Sequence, residues 1–299
     1  MPLSRRSFLA LIPSFALARS RRPMAVTMDD VHWAVIPEQY SESALARILE
    51  AVGKKKAALF AIGKNVDNST GRTILDAWSG AGHFIGNHTY GHDPLYRVGP
   101  DAFIDSIARN EPILESYPRF RKWFRFPQLK EGDTRETRDA VRTYLEGSGY
   151  RNAHVTIDTS DWYYDQRLRQ RLENNPSYLV ETFREPYIRH ILDRASFYDR
   201  LGVDLLGRSV CHTLLIHYNL INALFLKDVL DALATDGWET IDVDEAYEDP
   251  VHQKRVDTLP AGESLLWSIA HASGDYDARL RYPGEDGEYE KPLLDELGL

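Results

Sequence analysis

Ala25-Val26-Thr27-Met28-Asp29-Asp30 is a short apolar run that stops on paired acids. A helical pattern follows from Ser41 to Val52, with Leu45, Ile48, Leu49 and Val52 on one face and Ser41 or Ser43 available as N-cap. Next comes a second apolar run, Ala57 to Ile62, of the length of a buried strand. Strand, helix and strand in that order read as a parallel unit. The alternation continues outward. Ile74 to Ala81 reads as a helix that stops at Gly82, and Phe84 and Ile85 lead into a histidine-bearing segment. Pro100-Asp101 opens a helix toward Tyr117, and Trp123 to Phe126 is strand-like. Asp133 to Gly147 is helical with Asp133 or Thr134 as cap, and Ala153 to Ile157 reads as a strand. A helix-rich stretch from Pro176 to Leu206, broken near Pro186, precedes the strand Thr213 to Ile216. The helix Asn219 to Leu233 and a short strand, Trp238 to Ile241, complete the pattern. Such alternation predicts an α/β fold with a parallel sheet, open or closed into a barrel.

The chain has 299 residues and a net charge of -9, which argues against nonspecific nucleic-acid binding. With one cysteine, Cys211, an intramolecular disulfide is excluded; Cys211 reads as a small buried apolar side chain. Ser4-Arg5-Arg6-Ser7-Phe8-Leu9 is a twin-arginine pattern, followed by an apolar stretch to Ala18 and an A-x-A-like site at Ala16-Leu17-Ala18. The stretch is too short to span a bilayer. Residues 1–18 are therefore expected to be a twin-arginine export signal that directs the protein to the periplasm or beyond. Residues 19–299 are expected to form a single catalytic domain with a C-terminal extension. The tail after Asp249 is rich in proline, glycine and acids and is expected to wrap the surface.

Chemistry-bearing residues collect where strands end. Asp29 and Asp30 close the first strand, Arg125 and Pro127 another; Asp158 and Asp161-Trp162 follow a third, and His217 follows Leu214-Leu215-Ile216. In parallel α/β folds the C-terminal strand ends converge on one face, so these distant residues can meet. Within Gly86-Asn87-His88-Thr89-Tyr90-Gly91-His92 the two histidines are four apart. On a helical turn that spacing separates them by about 40°, so both can aim at one point. Asp30 adds a carboxylate. Two imidazoles and one carboxylate suit a divalent metal and leave positions open, as a catalytic site requires. Asp29 points the other way along the strand and stays free to act as a base.

Amide hydrolysis also needs an acid for the departing amine. His217 is the candidate, with Asp161 placed to hydrogen-bond its far ring nitrogen and raise its pKa. Arg125 is placed to pair with Asp29 and orient it, and Trp162 beside Asp161 offers an apolar wall.

Taken together, these residues resemble the NodB-type polysaccharide deacetylases, carbohydrate esterase family 4. Thr27-Met28-Asp29-Asp30 is similar to the family's T-F-D-D, and His88-Thr89-Tyr90-Gly91-His92 to its H-[ST]-x-x-H. Arg125-Phe126-Pro127 resembles its arginine-proline motif, Asp158-Thr159-Ser160-Asp161-Trp162 its D-x-x-D-W, and Leu215-Ile216-His217 its L-x-H. The motifs stand in family order from Val26 to His217. The resemblance implies a distorted (β/α) barrel with Asp30, His88 and His92 as metal ligands. It implies Asp29 as base, Arg125 as its orienting partner, and His217 as acid tuned by Asp161. Trp162 and Leu215 would line the pocket for the acetyl methyl. Zinc suits the ligands, and cobalt, nickel, manganese or iron also bind such sets. The expected reaction is N-deacetylation of an amino sugar or envelope glycan.

Two stretches depart from the family pattern. Val31-His32-Trp33 stands where a glycine commonly follows the acids, and is expected to narrow the cleft. Gln128-Leu129-Lys130-Glu131-Gly132 lacks the usual step to an aromatic and glycine. A narrow cleft favours a small amide, acetamide or ureide as substrate. A nonheme iron oxygenase needs a different ligand order and is disfavoured. A noncatalytic glycan-binding protein would not need Asp29 and His217. His83, His154, His190, His212, His252 and His271 fall in no partner pattern.

Overall fold

The computed structural model describes residues 22–299; segment 1–18, expected above to be an export signal, lies outside them. The strands are β1 (Arg22–Asp30), β2 (Ala58–Ala61), β3 (Phe84–Asn87), β4 (Phe120–Phe124), β5 (Lys130–Gly132), β6 (Arg151–Asn152), β7 (His212–His217), β8 (Trp238–Thr240) and β9 (Ala261–Gly262). Seven of them form a parallel sheet in the order β6-β4-β3-β2-β1-β7, with β8 also paired to β1. The sheet curls, and a single bridge between Ile157 and Leu214 joins its two ends. This is the distorted barrel that the alternation and the motifs imply. β5 and β9 form a separate antiparallel ladder.

β1 is buried from Met24 to Asp30, as expected for a strand covered on both faces. Its side chains alternate. Met24, Val26 and Met28 join the large core under the helices, whereas Ala25 belongs to a smaller cluster with Ala58, Phe60 and Phe84. The helices Glu38–Val52 and Leu220–Thr235 supply Ala44, Ile48, Leu226 and Val229 to the large core. Side-chain caps set several starts. Asn68, Thr134 and Asn219 each accept a backbone N–H from the first turn of the helix that follows.

Several expectations need correction. The first helix begins at Glu38 behind Pro37 with no side-chain cap, so Ser41 and Ser43 lie inside it. Ala153 to Ile157 is not a strand. Pairing is limited to Arg151–Asn152 and the one bridge at Ile157, because the chain leaves β4 there and crosses to β7. The helix Arg184–Leu206 runs through Pro186, which sits in its first turn, where no intrahelical N–H is needed. Cys211 is only partly buried. The tail after Asp249 does more than wrap the surface. Leu265, Leu266, Trp267 and Leu294 enter the main core, and β9 pairs with β5. Gly262 permits this pairing. Its φ is 122°, and a Cβ there would overlap the Leu129 carbonyl. Among the described residues, no helix is long and apolar enough to cross a membrane.

Candidate active site

Strand alternation sends Asp29 toward the inside of the curl. It would send Asp30 the other way, toward the helices with Met28. Asp30 instead takes a φ of 82° and Val31 one of 60°, so the chain turns and the Asp30 carboxylate reaches the same mouth. The turn is held by Val31 N–H to the Asp29 carbonyl (3.1 Å) and by Asn65 Nδ2 donating to the Asp30 carbonyl (3.0 Å). Asp29 and Asp30 are therefore not directed apart. Asp29 Oδ2 lies 3.7 Å from His88 Nε2, and Asp30 Oδ1 lies 3.2 Å from it.

The two histidines are not on a helix. His88 to His92 is an irregular loop beyond β3, with Thr89 at φ 63° and His92 at φ 61°. Side chains replace the helical hydrogen bonds. Asn87 Oδ1 accepts Thr89 N–H (2.9 Å), and Thr89 Oγ1 accepts His92 N–H (2.9 Å). Asn110 Nδ2 donates to the carbonyls of Ala61 and Thr89, both at 2.9 Å. The loop also rests on the backbone of Gly63, whose N–H reaches the Thr89 carbonyl at 3.0 Å. A Cβ at Gly63 would sit 2.5 Å from Tyr90 Cδ2.

His88 and His92 Nε2 lie 3.2 and 3.4 Å from Asp30 Oδ1. His88 Nδ1 donates to the Arg125 carbonyl at 2.8 Å, which fixes the ring so that Nε2 faces the carboxylate. Burial pushes His92 down to about 4, so it is neutral at pH 7. Asp30 Oδ1 is buried and has no hydrogen-bond partner. Burial alone would raise the Asp30 pKa, but His92, His88, His217 and His32 together hold it well below the usual range. A carboxylate oxygen and the Nε2 atoms of two imidazoles, within 4.8 Å of one another, are a donor set that fits a divalent cation.

Arg125 at the end of β4 is 1% exposed. Its Nη1 lies 3.1 Å from both Asp29 oxygens. Nε donates to the Ala153 carbonyl at 2.8 Å, Nη2 reaches Thr27 Oγ1 and Tyr247 OH, and the guanidinium lies over Phe60. Burial raises the Asp29 pKa despite Arg125, which suits a carboxylate that takes a proton.

Opposite stands His217, with Nε2 3.9 Å from Asp30 Oδ2. Its Nδ1 meets Asp161 Oδ1 at 2.7 Å. Asp161 Oδ2 also accepts from His217 N–H (2.8 Å), Asn222 (2.8 Å) and Asn219 (3.2 Å), so the carboxylate is fixed on all sides. Burial would lower His217, but Asp161, with Asp30 and Asp29, lifts it to about 10. Asn219 and Asn222 carry no motif signal except the N-cap position of Asn219.

Asp29, Asp30, His88, His92 and His217 line one cavity of about 410 Å³, together with Phe126, Trp162 and Leu215. The remaining wall is Gln128, Leu129, Lys130, Asp158 and Thr159 with Glu263, Pro283, Glu285 and Asp286. Neither Val31 nor Trp33 narrows the cleft. Val31 is fully buried in the core, and Trp33 Nε1 is tied to the Asn65 carbonyl at 2.8 Å. His32 touches Asp30 at 3.5 Å. The remaining histidines have partners that spacing did not reveal. His190 lies 3.3 Å from Glu290, His212 3.4 Å from Asp199, and His271 2.9 Å from Asp277.

Residues 17–152 match the polysaccharide deacetylase family. A peptidoglycan-N-acetylglucosamine deacetylase from Bacillus cereus is 28% identical over 110 residues, which is 36% of this chain and 36% of that protein. The chain thus spans about a third of the length of that curated relative. Two solved structures superpose with a TM-score of 0.52. One is a carbohydrate esterase family 4 pseudoenzyme from Bacillus anthracis (21% identity; 81% of this chain, 69% of that one). The other is the chitin deacetylase of the fungal pathogen Colletotrichum lindemuthianum (20% identity; 77% and 88%). At these identities the superpositions establish the fold. The matched segment, 17–152, is thus similar to the family that the ordered motifs resemble.

Proposed function

We propose that the protein is a metal-dependent hydrolase that removes the acetyl group from an N-acetylated amino sugar. The observation that supports it best is the convergence of Asp30, His88 and His92 on one point, with the Asp29–Arg125 pair on one side and the His217–Asp161 pair on the other. Asp30, His88 and His92 would hold the ion, zinc by ligand type, with cobalt, nickel, manganese or iron as substitutes. Such an ion supplies Lewis-acid polarisation of the acetamide carbonyl.

The chain's own residues carry the protons. Asp29 takes one from the attacking water, while Arg125 holds the carboxylate in place. His217 gives one from Nε2 to the departing amine, and Asp161 keeps its ring oriented through Nδ1. Trp162 and Leu215 receive the acetyl methyl, with Leu215 backed by Leu129 and Val155. Export through a twin-arginine signal to the periplasm agrees with an envelope glycan as substrate; N-terminal sequencing of periplasmic material tests it.

The modest cavity, closed on one side by the tail, favours a small amide, a ureide or a chain end over the middle of a long polymer. An acetate-release assay tests these readings together. It uses chitooligosaccharides, peptidoglycan fragments and small acetamides, with and without added metal. Metal-dependent acetate release from a sugar supports the proposal. Release from none of them moves the reading to a ureide hydrolase or a glycan-binding protein.

A further inference from the structure

The cavity wall opposite the metal ligands is built from acids that the proposed reaction does not use. Asp158 opens the D-x-x-D-W segment, while Glu263, Glu285 and Asp286 come from the tail, beyond the residues that match the family. Their charges are compensated unequally. Glu263 is ion-paired with Lys130 and accepts Gly284 N–H at 2.8 Å. Glu285 is held by Arg194 Nη2 at 2.5 Å and by Tyr198 OH at 3.3 Å.

Asp158 has no such partner. It is 7% exposed, and Oδ1 accepts the N–H of Thr159 at 2.9 Å. Among the described residues no lysine, arginine or histidine lies within ion-pair distance of it. Its other oxygen has no hydrogen bond, yet it is not among the buried unsatisfied atoms, so it opens onto the cavity that Asp158 lines. Burial, and then the neighbouring Glu263, push this carboxyl up to about 7. A buried carboxylate without a counter-charge is costly, and a ligand that brings one relieves the cost.

We infer that this wall binds a protonated amine, so that the preferred substrate is an acetamido sugar joined to an unacetylated amino-sugar unit. The inference rests on the deacetylase reading and adds the substrate class. Glu263 and Glu285, each already paired, keep Lys130 and Arg194 from turning to Asp158. The ammonium of the neighbouring sugar then becomes the third cation for three buried acids. Such a site also favours sequential action, because each turnover creates an ammonium that the wall can bind in the next.

The test uses three disaccharides of one shape. An N-acetylglucosamine unit is linked to glucosamine, to glucose or to a second N-acetylglucosamine. With the metal-loaded protein at about pH 6.5, kcat/KM for acetate release should be about tenfold or more higher with the glucosamine partner than with glucose. Added salt should shrink this ratio. Asp158→Asn should bring it toward one. A ratio near one in the natural protein overturns the inference, as does a ratio that survives in a folded Asp158→Asn protein with normal metal content. Should that variant fail to fold, the amine-to-hydroxyl exchange still decides, because it alters only the ligand. Acetate from none of the three refutes the deacetylase reading instead. Calorimetric binding of the same sugars then decides the amine preference separately, with tighter binding of the glucosamine disaccharide expected and equal binding overturning it.

Discussion

Replacing Arg125 with methionine probes the physical centre of the site. The guanidinium is buried, donates to both oxygens of buried Asp29 at 3.1 Å and donates to the Ala153 carbonyl at 2.8 Å. Methionine keeps most of the volume and the contact with Phe60 but removes every donor. Asp29 is then a buried carboxylate without its cation, and breaking such a pair from one side costs on the order of 3–5 kcal/mol. In a chain of this size that corresponds to a melting temperature lower by roughly 10 °C. The loss has a pH signature. Burial already raises Asp29, and without Arg125 its protonated form gains further. A group whose folded pKa is raised contributes stability below that pKa and loses it as pH rises, so the variant should recover stability on going from pH 8 toward pH 5. Asp29→Asn in the same chain removes the stranded charge and should restore about half of the loss or more. Thermal unfolding of the two single variants and the double variant, all treated with a chelator, measures this coupling. A loss under about 1 kcal/mol for Arg125→Met, or no rescue by Asp29→Asn, would refute the argument that Arg125 compensates a buried charge.

Asp29→Asn should abolish turnover while metal content stays normal, whereas His88→Ala should lose the metal; metal analysis beside acetate release separates the two. His217→Ala should slow amide cleavage by about 10²–10⁴-fold but cleavage of an activated ester far less, because that leaving group needs no proton. Equal losses on both substrates would remove His217 from the acid role. His252, away from the site, predicts acid sensitivity. Burial holds it neutral down to about 3, with Nε2 on the Cys211 carbonyl at 3.1 Å. Its contribution is complete above the ordinary histidine pKa and is lost as pH falls toward 3, on the order of a few kcal/mol. His252→Gln should flatten this arm of the stability curve, and acid titrations followed by circular dichroism read it directly.

Much of this molecule is legible in one dimension. The apolar runs at Val26, Leu59 and Leu214 are strands because their side chains are buried on both faces of a parallel sheet. Three helices start where Asn68, Thr134 and Asn219 cap them, although the first helix has no side-chain cap. Asp29, Arg125 and His217 stand at strand ends or just beyond, and Asp161 opens the helix Asp161–Asn174; parallel topology brings those strand ends together. The helical reading of His88 to His92 fails because Asn87, Thr89 and Asn110 satisfy the backbone in a loop, and Asn110 lies a helix away in sequence. Asp30 defeats strand alternation through positive φ at Asp30 and Val31, a turn that Asn65 helps to hold.

The alternating α/β order, the residue types of the site and the strand-end positions of Asp29, Arg125 and His217 can be read from local periodicity and from a topology with few alternatives. Three-dimensional packing alone reveals how Asp30 joins the two histidines, which asparagines brace Asp161, and that the tail supplies Glu263, Glu285 and Asp286 to the cavity. Those outcomes depend on hydrogen bonds and packing between segments up to more than a hundred residues apart, and no local pattern encodes them.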